Sequence, residues 1–168
     1  MNISIRQLNE DDWQIFSEIR LKALQTDPSV FGSNYDLESK FTEEEWRSRL
    51  RANDSAIFIL FSGETPIGMT GVSGWREDST GKTAIFWGSW LDRGFRRQGL
   101  SELMYRARLE WVKTRPLIER IIVSHRASNV ASKYANQKHG FVFTRTHEKT
   151  WTDGVTEDEV YYELKLKT

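Results

Sequence analysis

Three apolar, β-branched and aromatic runs follow one another in the middle of the chain: A-I-F-I-L-F (56–61), P-I-G-M-T-G-V-S-G-W (66–75) and T-A-I-F-W-G-S-W-L (83–91). Gly63-Glu64 separates the first pair and E-D-S-T-G-K the second, so each pair reads as a hairpin. A sheet whose centre is built from consecutive hairpins is antiparallel there, which excludes the doubly wound dinucleotide-binding architecture.

The flanking sequence supplies the other elements. Ile3 and Ile5 alternate with polar residues in a short opening strand. Asn9 caps a helix predicted through about Gln25, with Trp13, Phe16, Ile19, Ala23 and Leu24 on its apolar stripe; Asp27-Pro28 stops it. A long polar and aromatic loop, P-S-V-F-G-S-N-Y-D-L-E-S-K-F, leads to the capping box Thr42-x-x-Glu45 and a second helix carrying Trp46 and Leu50. After the hairpins, apolar spacing predicts a helix from about Gly99 to Lys113, ended by Arg115-Pro116. Next come a strand at 121–125, a helix from Asn129 to His139 closed by Gly140, and strands at 141–146 and 160–166 with Asp153-Gly154 turning between them. The order is β-α-α-β-β-β-α-β-α-β-β, an α/β fold with a mixed, mostly antiparallel central sheet flanked by helices. At 168 residues one domain, 1–168, is expected.

Composition removes several chemistries. Without cysteine there is no disulfide framework, thiolate metal site or cysteine nucleophile, and the three histidines lack metal-motif spacing, so no metal is expected. Lys and Arg (24) balance Asp and Glu (24), whereas nucleic-acid binding draws on a cationic excess; no nucleic acid partner is expected. No apolar run approaches a membrane span and no leader pattern opens the chain, so a cytoplasmic protein without a membrane partner is expected.

An anion site is local instead. R-G-F-R-R-Q-G-L-S (93–101) lies between the third hairpin strand and a helix. A helix start presents unpaired N–H groups and the positive end of the dipole, glycine opens the backbone, and Arg96 and Arg97 add charge. G-K-T at 81–83 ends like a phosphate-binding loop, but Arg76 stands where the required glycine belongs and a strand comes after it; it reads as a turn.

R-R-Q-G-L-S (96–101) resembles the R-x-x-G-x-G/A motif of the GNAT family of N-acetyltransferases. W-G-S-W-L-D-R-G-F-R-R-Q-G is similar to the strand-to-loop approach of many bacterial members, Asn129 followed by Gly140-Phe141 is similar to the N-x-x-A-…-G-F pattern, and residues 20–38 resemble a helix-and-loop segment of small bacterial acetyltransferases. The resemblance covers essentially the whole chain and implies the GNAT fold, acetyl-CoA as acetyl donor, and transfer to the primary amine of a small molecule by direct attack in a ternary complex. It implies that the amides of Arg97, Gln98, Gly99, Leu100 and Ser101 hold the pyrophosphate with Arg96 and Arg97 adding charge, that Trp90 and Leu91 offer backbone groups to the pantetheine, and that Asn129 and Ser132 flank the pantetheine arm. Gly88 would mark a bulge that splays two strands. Homodimers are common among relatives.

The chain departs from the family at Ser101 and Ser132, small residues in place of glycine and alanine, and at Asn136, where many relatives carry a tyrosine acid. Tyr134 lies about 200° around the helix from that position; it is a candidate acid or a residue packed against the arm. A thiol of pKa about 8.5 leaves tolerably without a donor. Deprotonation matters more, because a lysine-like amine is only about one part in 2,500 neutral at pH 7. The strand at 83–91 has no carboxylate, so the base candidates are His125, Glu38, Tyr35, or a water held by Ser89. Phe31 and Tyr35 in the long loop and Trp75 after the second hairpin strand are candidate acceptor contacts. Tyr35, Asp36 and Glu38 in the long loop, with Trp75, Glu77 and Asp78, hint at a cationic amine such as a polyamine, amino sugar or lysine. Acetylation of protein N-termini or lysines, and a non-catalytic acyl-CoA-binding module, remain alternatives.

Overall fold

The computed structural model describes residues 2–166. Strand β1 (Ile3–Gln7) leads to a 3-10 turn at Glu10–Asp12, which Asn9 and Asp12 close as a capping box, and then to α1 (Trp13–Thr26). The long loop contains a helix not expected from its polar sequence, α2 (Tyr35–Glu38), capped when Asn34 Oδ1 accepts from Leu37 N at 2.8 Å. Helix α3 (Glu43–Arg51) carries the expected reciprocal box of Thr42 and Glu45. Strands β2 (Ser55–Ser62), β3 (Thr65–Gly74) and β4 (Thr83–Leu91) form the antiparallel meander. They precede α4 (Ser101–Lys113), β5 (Arg120–Arg126), α5 (Val130–Lys138), β6 (Val142–Thr150) and β7 (Thr156–Lys165).

The seven strands make one sheet in the order β1-β2-β3-β4-β5-β7-β6, antiparallel throughout except where β4 meets β5. Both faces of its centre are covered, which explains why A-I-F-I-L-F is apolar at every position instead of alternating. Ile57, Ile59 and Phe61 join Phe16, Ile19, Leu24 and Trp46 beneath α1 and α3, and Ala56 and Phe58 join Tyr105, Trp111, Val112, Phe141 and Tyr162 beneath α4 and α5. Each large apolar side chain buried in this way contributes about 1.5–3 kcal/mol. Trp46 packs edge-on against Phe16, ring centroids 5.2 Å apart, so α3 is pinned to α1.

A single irregularity in the meander shapes the site. The register of β3 on β4 slips between Met69, opposite Trp90, and Gly71, opposite Trp87, leaving Gly88 and Ser89 opposite Thr70 alone. Gly88 sits at φ +67°, where a side chain is strained. The extra residue reverses the facing of the rest of the strand: Phe86 lies under α4, yet Trp90 joins the α1 cluster. Strand β4 then pairs with β5 only over Thr83–Ile85 against Arg120–Ile122, and beyond that the two strands diverge. The bulge expected at Gly88 is thus present, with the splay beside it.

Candidate functional site

The turn from β4 into α4 is held by side chains that leave its backbone free. Asp27, at the end of α1, accepts from Trp90 Nε1 (2.8 Å), Arg96 Nη2 (2.7 Å) and Arg93 Nη2 (3.1 Å). Burial alone would raise its carboxyl pKa, but the bonds from Trp90, Arg96 and Arg93 hold it below the usual carboxylate range. Arg96 Nε also donates to the Leu91 carbonyl at 2.7 Å, and Gln98 Nε2 to the Gly94 carbonyl at 3.3 Å. So Arg96 is a brace as much as a free charge, the Leu91 carbonyl is already engaged, and Arg93 acquires a role that its sequence context did not suggest. The Trp90 indole is buried on the α1 side, leaving only its backbone at the strand edge.

Beyond this brace the chain turns through two left-handed residues, Arg97 at φ 63° and Gly99 at φ 78°. Among the described residues, the amides of Arg97, Gln98, Gly99, Leu100 and Ser101 donate to no protein group. They form a concave run of N–H donors at the positive end of α4, which is anion-binding geometry. A non-glycine left-handed residue costs roughly 1–2 kcal/mol, and Arg97 bears it where the backbone has to curl.

The splayed strands enclose a cavity of about 110 Å³. Val30 and Phe31 line one end, Gly88 and Ser89 the strand wall, and Asn129, Ser132 and Asn136 the α5 side. Asn129 Oδ1 caps Ser132 N at 3.2 Å, which leaves its Nδ2 without a described partner on a residue that lines this slot. Tyr105 and Arg108 of α4 complete the lining. Tyr105 donates its hydroxyl to Asn136 Oδ1 at 2.5 Å, so the position where relatives carry tyrosine holds the acceptor for a phenol from another helix. Burial raises the Tyr105 pKa, and the Arg108 charge partly offsets that. Arg108 is 2% exposed and makes no salt bridge among the described residues. Its partners are the Met104 carbonyl (Nε, 3.1 Å), Ser89 Oγ (Nη1, 3.1 Å) and the rings of Phe86 and Tyr105. Burial lowers its pKa to about 10. Neither Tyr105 nor Arg108 stood out in the sequence, because both read as ordinary members of an amphipathic helix.

Several expected roles fail on geometry. Glu38 is buried and accepts from Arg20 Nε (3.0 Å), Arg20 Nη2 (2.9 Å) and Arg49 Nη1 (3.0 Å). Burial would raise its pKa, but these guanidinium groups bring it down to about 2, far too low for a base working near neutrality. His125 is buried with both ring nitrogens occupied: the Arg126 carbonyl, 2.7 Å from Nδ1, can only accept, so Nδ1 carries the proton and Nε2 accepts from the Tyr162 hydroxyl at 3.1 Å. No lone pair is left for an acceptor's proton. Ser89 is committed to Thr70 Oγ1 (2.7 Å) and Arg108. Tyr134 is 64% exposed on α5 and does not line the cleft, and Tyr35 is exposed on α2. Trp75 lines a separate cavity of about 500 Å³ at the far end of β4, beside Thr83 and Trp111. That hollow is the larger, but it lies away from both the free amides and the splay. Phe31 alone of the acceptor candidates stands in the cleft. Among the described residues no cluster of His, Cys, Asp or Glu could hold a metal, and no helix is long and apolar enough to cross a membrane.

The fold recurs in known proteins. The acetyltransferase of GNAT family from Streptococcus pneumoniae superposes with a TM-score of 0.84 at 17% identity, over 98% of this chain and 100% of that one. A structure of yncA from Salmonella typhimurium with its cofactor acetyl-CoA gives 0.79 at 15% identity, over 100% and 96%. RimL, a ribosomal L7/L12 alpha-N-protein acetyltransferase solved in complex with coenzyme A, gives 0.76 at 18% identity, over 99% and 95%. At such identities the likeness concerns the fold. No curated protein matches the chain. The model of the Acetyltransferase (GNAT) family matches residues 6–141, a span that takes in α1, the bulged β4, the free amides and the capped α5, and on that match the chain belongs to the GNAT acetyltransferase family.

Proposed function

We propose that the protein transfers the acetyl group of acetyl-CoA to the primary amine of a small molecule, by direct attack while both are bound. The observation that carries this reading is the run of unpartnered amides from Arg97 to Ser101 opening onto a splayed strand edge. Those amides suit a pyrophosphate, with Arg97, whose side chain has no partner among the described residues, as a cation beside them. The unpaired edge of β4 beyond Ile85 suits an extended amide-bearing arm, which binds as a strand would. Asn129 Nδ2 and Ser132 face the same arm from α5. The acetyl group is then carried to the bulge at Gly88 and Ser89, with Phe31 closing the acceptor side. Covalent catalysis through a thiol is excluded, because the chain has no cysteine.

Calorimetry tests the donor site. Gly99→Asp forces a side chain onto a left-handed backbone and sets a negative charge among the amides. Acetyl-CoA affinity should fall roughly 30- to 100-fold, about 2–3 kcal/mol. Unchanged affinity would overturn the assignment. Acetyl-CoA consumption across a panel of small amines and peptides tests the acceptor class, and turnover confined to peptides would replace the small-molecule reading.

A further inference from the structure

Resting on the transferase reading, we infer that the acceptor is a weakly basic amine, of the kind an α-amino group beside an amide carbonyl supplies, and that it is taken into the cleft as its free base without a general base on the protein.

The cleft wall carries positive charge and no acid. Among the described residues no Asp or Glu lines it, and the Arg108 guanidinium lies in its wall with no carboxylate hydrogen-bonded to it. The other buried arginines have acid partners: Arg126 pairs with Asp153 and Glu157, and Arg20 with Glu38. From the α1 side Arg20 approaches within 3.7 Å of where a side chain on Gly88 would begin, with Nη1 buried and unpartnered. Glu38 answers both Arg20 and Arg49, so that cluster also leaves a positive excess.

The remaining groups around the cleft do not reverse this sign. His125 is held with its lone pair on Tyr162, and His139 is stacked on the Tyr105 ring at 3.8 Å with Nδ1 bonded to the Ala135 carbonyl. On β7, Glu159 is in contact with Ser124, which lines the cleft. Its carboxylate accepts from Ser124 and Tyr161, and Lys149 lies 3.9 Å away. An ammonium brought up to the acetyl group at the bulge loses water and meets like charge, both of which favour its neutral form. A cationic acceptor, which the acidic residues of the long loop and near Trp75 suggested in the sequence, is therefore disfavoured.

An amine of low basicity meets the requirement directly. At pH 7 an α-amino group is about one part in six to eleven neutral, against about one part in 2,500 for a lysine side chain. The transfer also balances without a base. The N–C bond forms as the C–S bond breaks, and the proton that the nitrogen sheds equals the one that the departing thiolate takes up.

The experiment is the dependence of kcat/KM on pH for small primary amines of graded basicity, with acetyl-CoA fixed. The expected profile rises with unit slope, breaks at the free acceptor's own pKa, and moves when the acceptor is changed. At pH 7 an amino-acid amide should exceed an alkylamine of lysine-like basicity by about ten-fold or more, since part of the free-base advantage is offset by the stronger amine's nucleophilicity. Arg108→Met should narrow that preference about ten-fold, whereas Glu159→Gln should change kcat/KM less than about two-fold. A break that stays at one pH across acceptors, or is abolished by Glu159→Gln, shows a base on the protein and overturns the inference while leaving the transferase reading intact. Binding of acetyl-CoA without turnover of any amine overturns both.

Discussion

The two halves of the site are built in opposite ways. The turn before α4 is exposed, made of backbone, and contributed by one continuous stretch, Arg93 to Ser101. The cleft behind it is buried, made of side chains, and assembled from the α1–α2 loop, β4, α4, β5 and α5. A backbone site depends on local conformation and tolerates varied side chains, whereas an assembled site depends on packing between distant segments. The first should therefore lose ligand without losing the fold, and the second should lose both together.

The sharpest way to break this contrast is Glu38→Ala. Removing it leaves Arg20 uncompensated in the interior, with an expected loss of about 3–5 kcal/mol in urea unfolding. A loss below about 1 kcal/mol would show that the cleft wall does not depend on the pair. Acid gives a related reading without mutation. The Glu38 pKa in the folded protein, about 2, lies below its value in the unfolded chain, so its contribution is fully present above about pH 4.5 and is lost as pH falls toward 2. The difference is on the order of 3 kcal/mol, and it should disappear from the acid-unfolding curve of the alanine variant. Smallest is Tyr134→Ala, exposed on α5: stability should stay within about 0.5 kcal/mol and turnover should be unaltered. A large drop in turnover there would return Tyr134 to the site.

The same contrast explains what could be read in advance. The element order apart from α2, the cap at Asn9, the capping box at Thr42 and the bulge at Gly88 arise from short-range rules of backbone and turn chemistry, and all are present, as is a left-handed turn before α4. The partners of Glu38 lie 18 residues before it and 11 after it, and nothing in its own loop distinguishes an acid that is free from one that is locked. Likewise Tyr105 and Asn136 are 31 residues apart, so a phenol arriving from α4 at the position of an absent tyrosine was hidden in an ordinary helical stripe. Trp75 misled for the converse reason: it is close in sequence to a strand of the site but sits at the wrong end of it.

The short pairing of β4 with β5, limited to Thr83–Ile85 against Arg120–Ile122, has a consequence for folding itself. It makes the sheet two panels, β1 to β4 and β5-β7-β6, laced at one end only. On the proposed reading, the donor's extended arm completes the lacing by hydrogen-bonding along a rim that the chain leaves open. At about a hundred times its dissociation constant such a ligand adds about 2.7 kcal/mol to stability. Amide exchange along Phe86–Leu91 and Val123–Arg126 would slow on binding, so the substrate acts as a strand of the protein it serves.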